Sequence, residues 1–193
     1  MRKANKNIIK IFESATEEEY TAGLNWFNGA RDIANKMAID FNIPIKKVAA
    51  IISILSPAVK WESNILDARN LLQGWSENKQ DAVKTTGYGH NKAKAIRVLE
   101  YKDDNFKFPI SAGSFKTLCF YENIVDPSSL RATIDRHAAK VYYGAKRSGR
   151  INLSGKKYLM IEKSFINTSE YLNLLPCQLQ AITWVAYKRL VNR

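Results

Sequence analysis

The sequence predicts an all-α fold of about eight helices, and three features carry that prediction. Apolar residues recur at three- and four-residue steps almost throughout, helix-start and helix-stop signals bracket those stretches, and no useful run alternates as a strand would. Repeats and low-complexity tracts are absent from the sequence.

The segment "TEEEYTAGLNWFNGARDIANKMAIDF" opens with a capping box, Thr16 with Glu19. It then sets Tyr20, Leu24, Phe27, Ala30, Ala34, Met37 and Phe41 on one face, which predicts a single amphipathic helix. Pro44 opens "IKKVAAIISIL", apolar nearly all round and therefore central, and Ser56-Pro57 ends it. "KWESNILDARNLLQGW" offers Trp61, Ile65, Leu66, Ala68, Leu72 and Trp75 to the core. Gly87 and Gly89 punctuate before "HNKAKAIRVLEY", and Pro109 ends a loop before "FKTLCFYENIV". A short helix follows at "IDRHAAKV"; after the polar connection "GRINLSGKKY" come "YLMIEKSFI" and "PCQLQAITWVAYKRLV", the last with a proline near its first turn.

With 193 residues, 46% apolar and 25% charged, the chain can bury a real core, and disorder is not expected. The longest nearly apolar run, "VAAIISILSPAV", is far short of the roughly 20 residues of a membrane-spanning helix. The start "MRKANKNIIKIF" lacks the apolar region and cleavage site of a secretory signal, so a cytosolic protein without membrane contact is expected. Cys119 and Cys177 match no metal spacing and sit in apolar stretches, so they read as buried free thiols, and no metal or organic cofactor is indicated.

Charge gives the first functional clue. The net charge is +12, and residues 84–193 carry 19 Lys/Arg against 8 Asp/Glu, whereas residues 1–83 are nearly balanced. Between Arg136 and Lys163 eight basic residues meet one acid, Glu162. Such a surface attracts polyanions through counterion release, which points to nucleic acid; the plainer alternative is a solvated basic face that keeps the protein soluble.

Within this basic half, Lys116 and Asp135 stand at the heads of two successive helical stretches. The positive end of a helix favours the neutral form of an amine, and a partly desolvated neutral amine is a nucleophile. A carboxylate at the next helix start is held ionised by the same dipole; Thr133 or Asp135 could supply that cap. Together the two suit chemistry that passes through a cationic sugar, the amine attacking the anomeric carbon while the carboxylate steadies positive charge or takes a proton. Read singly, Asp135 could be only a cap and Lys116 only a phosphate contact.

At these residues the chain resembles the helix-hairpin-helix DNA glycosylases, the superfamily of endonuclease III. There a glycine-rich hairpin leads into a helix headed by Lys-Thr, followed by a Val-Asp-Thr-His stretch that starts the next helix. Here "PISAGSFKTLCFYENI" and "ATIDRHAAKV" stand in that order at similar spacing. "AAIISILSPAVKWESNILDARNLL", with Asn64, is similar to the family's buried helix, lesion-facing turn and following helix, and "GYGHNKAKAIRVLEYKDDNFKFP" to its Gly-Leu-Tyr-Asn-Ser-Lys-Ala helix. The resemblance spans roughly residues 40–145.

The resemblance implies a single two-lobed domain, with a core lobe over 42–145 and a second lobe joining 1–41 to 146–193. Lys116 matches the nucleophilic lysine and Asp135 the catalytic aspartate. Ser111, Ala112, Gly113 and Ser114 would offer hairpin N–H groups to a DNA phosphate. Ser56 and Pro57 would lie near the extruded nucleotide, the usual way for such enzymes to reach a base in duplex DNA. The implied protein is a DNA glycosylase, with or without lyase activity, acting as a monomer on duplex DNA in the cytosol, or a host's cytosol if phage-encoded.

Departures accompany the matches. Ala112-Gly113-Ser114 replaces a hairpin with glycine on both sides of a variable residue, Pro57 stands where a wedge glutamine is expected, and the iron–sulfur cysteines are absent. Two alternatives follow: a phage-type relative that hypermodifies a pyrophosphorylated hydroxymethyluracil base, and a non-catalytic helix-hairpin-helix DNA-binding module. A pure binder gains nothing from a carboxylate that repels phosphate, so Asp135 favours an enzyme.

Further candidate contacts complete the reading. Lys60, His90, Lys92, Arg136 and Lys140 are expected to touch DNA, and His137 to bond either Asp135 or a phosphate, with a purely structural histidine as the other reading. Trp61 and Trp184 are candidates for a base pocket, although helical spacing makes packing the alternative for each, as it does for Gln180. Serine-histidine-aspartate and phosphate-loop patterns are missing from the sequence.

Overall fold

The computed structural model describes residues 4–102, 114–144, 151, 153 and 155–191. Among them the fold is all-α, with ten α-helices, one 3-10 turn and no strand. The helices are α1 (Lys6–Glu13), α2 (Glu17–Leu24), α3 (Trp26–Asp40), α4 (Ile45–Leu55), α5 (Trp61–Ser76), α6 (Gly89–Glu100), α7 (Phe115–Val125), α8 (Arg136–Tyr143), α9 (Gly155–Leu172) and α10 (Pro176–Val191). Two more helices form than the pattern predicts. The pattern assigns no helix to α1, which Asn5 caps on the N–H groups of Asn7 and Ile8, and the helix expected over Thr16–Phe41 breaks at Asn25. There the Asn25 amide bonds the Thr21 carbonyl at 3.0 Å, so a side chain competes for the helix ladder.

The chain forms two compact units, residues 30–125 and residues 1–29 with 126–193, divided within α3 and after Val125. The boundaries expected from the resemblance were 42 and 145; residues 126–144, α8 included, group with the chain ends.

In the 30–125 unit α4 is the axis. Every residue from Lys47 to Leu55 is buried, and α5, α6 and α7 pack around it. The Asn64 amide of α5 donates to the Ile52 carbonyl at 3.0 Å, and the buried Lys47 ammonium bonds the Tyr101 carbonyl at the end of α6. Asn64, Asp67, Ala68, Leu71 and Leu72 form the inward face of α5. Leu66, expected in that core, is instead 58% exposed, because two polar residues hold positions that an apolar count assigns elsewhere. Asp67 accepts the Thr86 N–H at 2.8 Å and hydroxyl at 3.2 Å, anchoring the lead-in to α6.

In the other unit α10 is the buried element, with α1, α2, α8 and α9 against it. The approach of α2 depends on Gly23, where a Cβ would fall 2.4 Å from the Ile182 Cα. Arg189 closes the far end through Glu19 (Nε to Oε1 2.6 Å) and the Ser14 carbonyl (2.6 Å). Glu19 also completes the capping box of α2. Cys177 is a buried free thiol that donates to the Pro127 carbonyl at 3.3 Å.

Candidate nucleic-acid site

Asp135 is the N-cap of α8. Its Oδ1 accepts the Ala138 N–H at 2.8 Å, and its Oδ2 lies 3.1 Å from His137 Nδ1. An ionised carboxylate only accepts, so the His137 ring donates from Nδ1. Asp135 retains 23% side-chain exposure and His137 38%, and the imidazole meets the Tyr187 ring at a tilt, with centroids 5.9 Å apart. Thr133, the other cap candidate, is buried. Arg136 is exposed on the first turn of α8, and Lys140 is half-buried one turn on.

The segment leading to this cap is held rigidly by α9. The Tyr158 hydroxyl accepts the Ile134 N–H and donates to the Ala132 carbonyl, each at 3.1 Å. Glu162, buried at 4% exposure, binds Arg131 Nε at 2.7 Å and the Ala132 N–H at 3.3 Å. Three bonds therefore fix the backbone just before Asp135, and a fourth ties down the Arg131 side chain. Sequence reasoning missed Arg131, Tyr158 and Glu162 as partners, although Glu162 was conspicuous as the lone acid of a basic stretch.

Lys116 lies in the first turn of α7 and is half-buried; the helix begins with the Leu118 N–H bonded to the Ser114 carbonyl at 3.1 Å. Lys116 belongs to the 30–125 unit and Asp135 to the other. Beside the α7 start, Pro57, His90 and Ser114 share a cleft of about 210 Å³ with Ile54, Tyr88, Asn91, Lys94 and Thr117. Three expected DNA contacts thus meet at one concave feature. Lys60, also an expected contact, is exposed at the N-cap of α5.

Other candidates take structural positions. The Lys92 ammonium donates to the carbonyls of Asp81 (2.6 Å) and Val83 (2.8 Å), holding the 3-10 turn against α6. Trp61 meets Phe120 edge-on at 6.3 Å. Trp184 meets Trp26 edge-on at 6.2 Å, with the Lys188 ammonium 4.1 Å above its ring. Ser56 bonds back to the Ser53 carbonyl at 2.9 Å, ending α4. Ser111, Ala112 and Gly113 of the expected hairpin, and Lys146, Arg147 and Arg150 of the basic stretch, lie outside the described residues.

Among the described residues no cluster of His, Cys, Asp and Glu could hold a metal ion, and no helix is long and apolar enough to cross a membrane. No curated protein and no solved structure matches the chain. A family does match, over residues 1–190, so that the chain belongs to the family of unknown function DUF7178.

Proposed function

We propose that this protein is a DNA glycosylase that extrudes a damaged or modified base from duplex DNA and breaks its N-glycosidic bond. The observation that carries the reading is Asp135: a carboxylate that keeps some exposure, locked at a helix N-terminus, oriented by His137, on a segment that α9 immobilises. A group fixed in this way suits stabilisation of the positive charge that grows on the sugar as the base departs, because it needs no reorganisation at that moment.

Lys116 is the nucleophile of the proposed reaction. Its neutral amine forms a bond to the anomeric carbon, the electron pair of the glycosidic bond leaves with the base, and the proton lost by the new ammonium passes to a carboxylate or water. The excess of basic residues in the second half supplies affinity for the phosphate backbone. The test is release of free base from duplexes that carry a panel of oxidised, deaminated and alkylated bases. Release from at least one is expected; tight binding across the panel without any release would leave a DNA-binding protein and no glycosylase.

A further inference from the structure

The cleft at the α6 start has a feature that neither glycosidic chemistry nor packing uses. Asn91 lines it, is only 6% exposed, and its Nδ2 is a buried donor with no hydrogen-bond partner. Buried donors are nearly always satisfied, so an orphan beside a concave opening marks a place for an acceptor. We propose that this cleft is a phosphate-binding subsite, in which Asn91 and the uncapped N-terminus of α6 donate to one phosphate group.

Four observations agree on that ligand. Tyr88 is the N-cap of α6 but makes no side-chain cap bond, and the first intrahelical bond is from the Asn91 N–H to the Tyr88 carbonyl at 2.9 Å. The N–H groups of Gly89 and His90 precede that bond and point out of the helix start. A Cβ at Gly89 would meet nothing within 4 Å, so the backbone is open to close approach. Lys94 and His90 line the same cleft, Thr117 adds a hydroxyl, and no carboxylate is among the described residues that line it. An acceptor-only, negatively charged group of phosphate size satisfies this donor set, whereas a cation or an apolar ligand does not.

The rings of Tyr88 and His90 stack at 5.4 Å and 14°, and Tyr88 is 55% exposed. A flat face beside the phosphate seat suits a nucleotide. The phosphate chemistry stands on the cleft alone; that the phosphate comes from a DNA backbone rests on the proposed function.

The test titrates the isotope-labelled full-length protein and follows the Gly89 and His90 amides and the Asn91 side-chain amide by NMR. Three probes are added separately: inorganic phosphate, a nucleoside monophosphate and a short undamaged duplex. Joint saturable shifts of these signals with phosphate and with the duplex are expected and assign a backbone phosphate. Shifts with phosphate and the mononucleotide but not the duplex keep the subsite and count against the DNA reading. No shift with any probe, or shifts only elsewhere, overturns the subsite whether or not base excision is found.

Asn91→Leu provides the second arm. Replacing an unpaired buried donor by an apolar group of similar size leaves the melting temperature equal or higher, while affinity for the ligand falls about ten- to a hundredfold. Lys94→Gln, on the cleft wall, should weaken binding in the same direction without touching the buried amide. Unchanged affinity in both variants overturns the assignment.

Discussion

His137 Nδ1 stands 3.1 Å from Asp135 Oδ2, so the histidine two residues into α8 fixes the carboxylate that caps it. The same carboxylate serves as a cap and, on the proposed function, as the charge-stabilising group, and a substitution can separate the two roles. Asparagine caps helices as well as aspartate. Asp135→Asn should therefore melt within about 2 °C of the wild type while turnover falls at least about a hundredfold. DNA affinity should stay equal or rise, because a charge that repels phosphate is removed. Calorimetry with single-turnover kinetics and a binding titration checks all three.

Tyr158 and Glu162 set the position of that cap from a separate helix. Tyr158→Phe unpairs the Ile134 N–H and the Ala132 carbonyl and should cost about 2 kcal/mol. Glu162→Ala removes the buried acceptor of Arg131 Nε and of the Ala132 N–H and should cost about 2 kcal/mol. Urea denaturation measures both losses, and equal stability in either variant would contradict the tether.

Gly23 is a packing requirement, because a methyl group there would sit 2.4 Å from the Ile182 Cα and 2.5 Å from its N. Backbone atoms cannot rotate aside, so Gly23→Ala should destabilise by about 1–3 kcal/mol. Gly29, where a Cβ meets nothing within 4 Å, is the control: Gly29→Ala on the exposed face of α3 should stabilise by up to about 1 kcal/mol.

Burial pushes the Cys177 thiol up to about 11 from an ordinary 9.0. Between those values the unfolded chain sheds a proton that the folded chain keeps, so stability is intact below about pH 9 and falls as pH rises toward 11. The loss should reach about 2 kcal/mol, and Cys177→Ala should flatten it. Tyr121 and Tyr187, also raised by burial, steepen the decline in the same direction. Thermal melts across alkaline pH, with thiol alkylation expected to be slow in the folded state, check the account.

The sequence made some of this legible and hid the rest for physical reasons. α4 is apolar all round and is the buried axis, as its composition requires. The Thr16–Glu19 capping box and the Asp135 cap follow from local rules, because both bonds lie within three residues. Apolar spacing continues across Asn25 and hides the break, which a side-chain bond to the Thr21 carbonyl makes. Asn5 with Ile8 and Ile11 carried a readable signal for α1. The tethers from Tyr158 and Glu162 join residues 24 to 31 positions apart, and the orphaned Asn91 amide exists only once helices meet. Neither is encoded in a local pattern.

The most direct test of the proposed chemistry is borohydride trapping on a duplex that carries an abasic site, because it needs no knowledge of the base removed. The wild type should yield a covalent protein–DNA adduct that disappears in Lys116→Ala. Absence of an adduct, or an adduct that persists without Lys116, would contradict the assignment of that lysine as nucleophile.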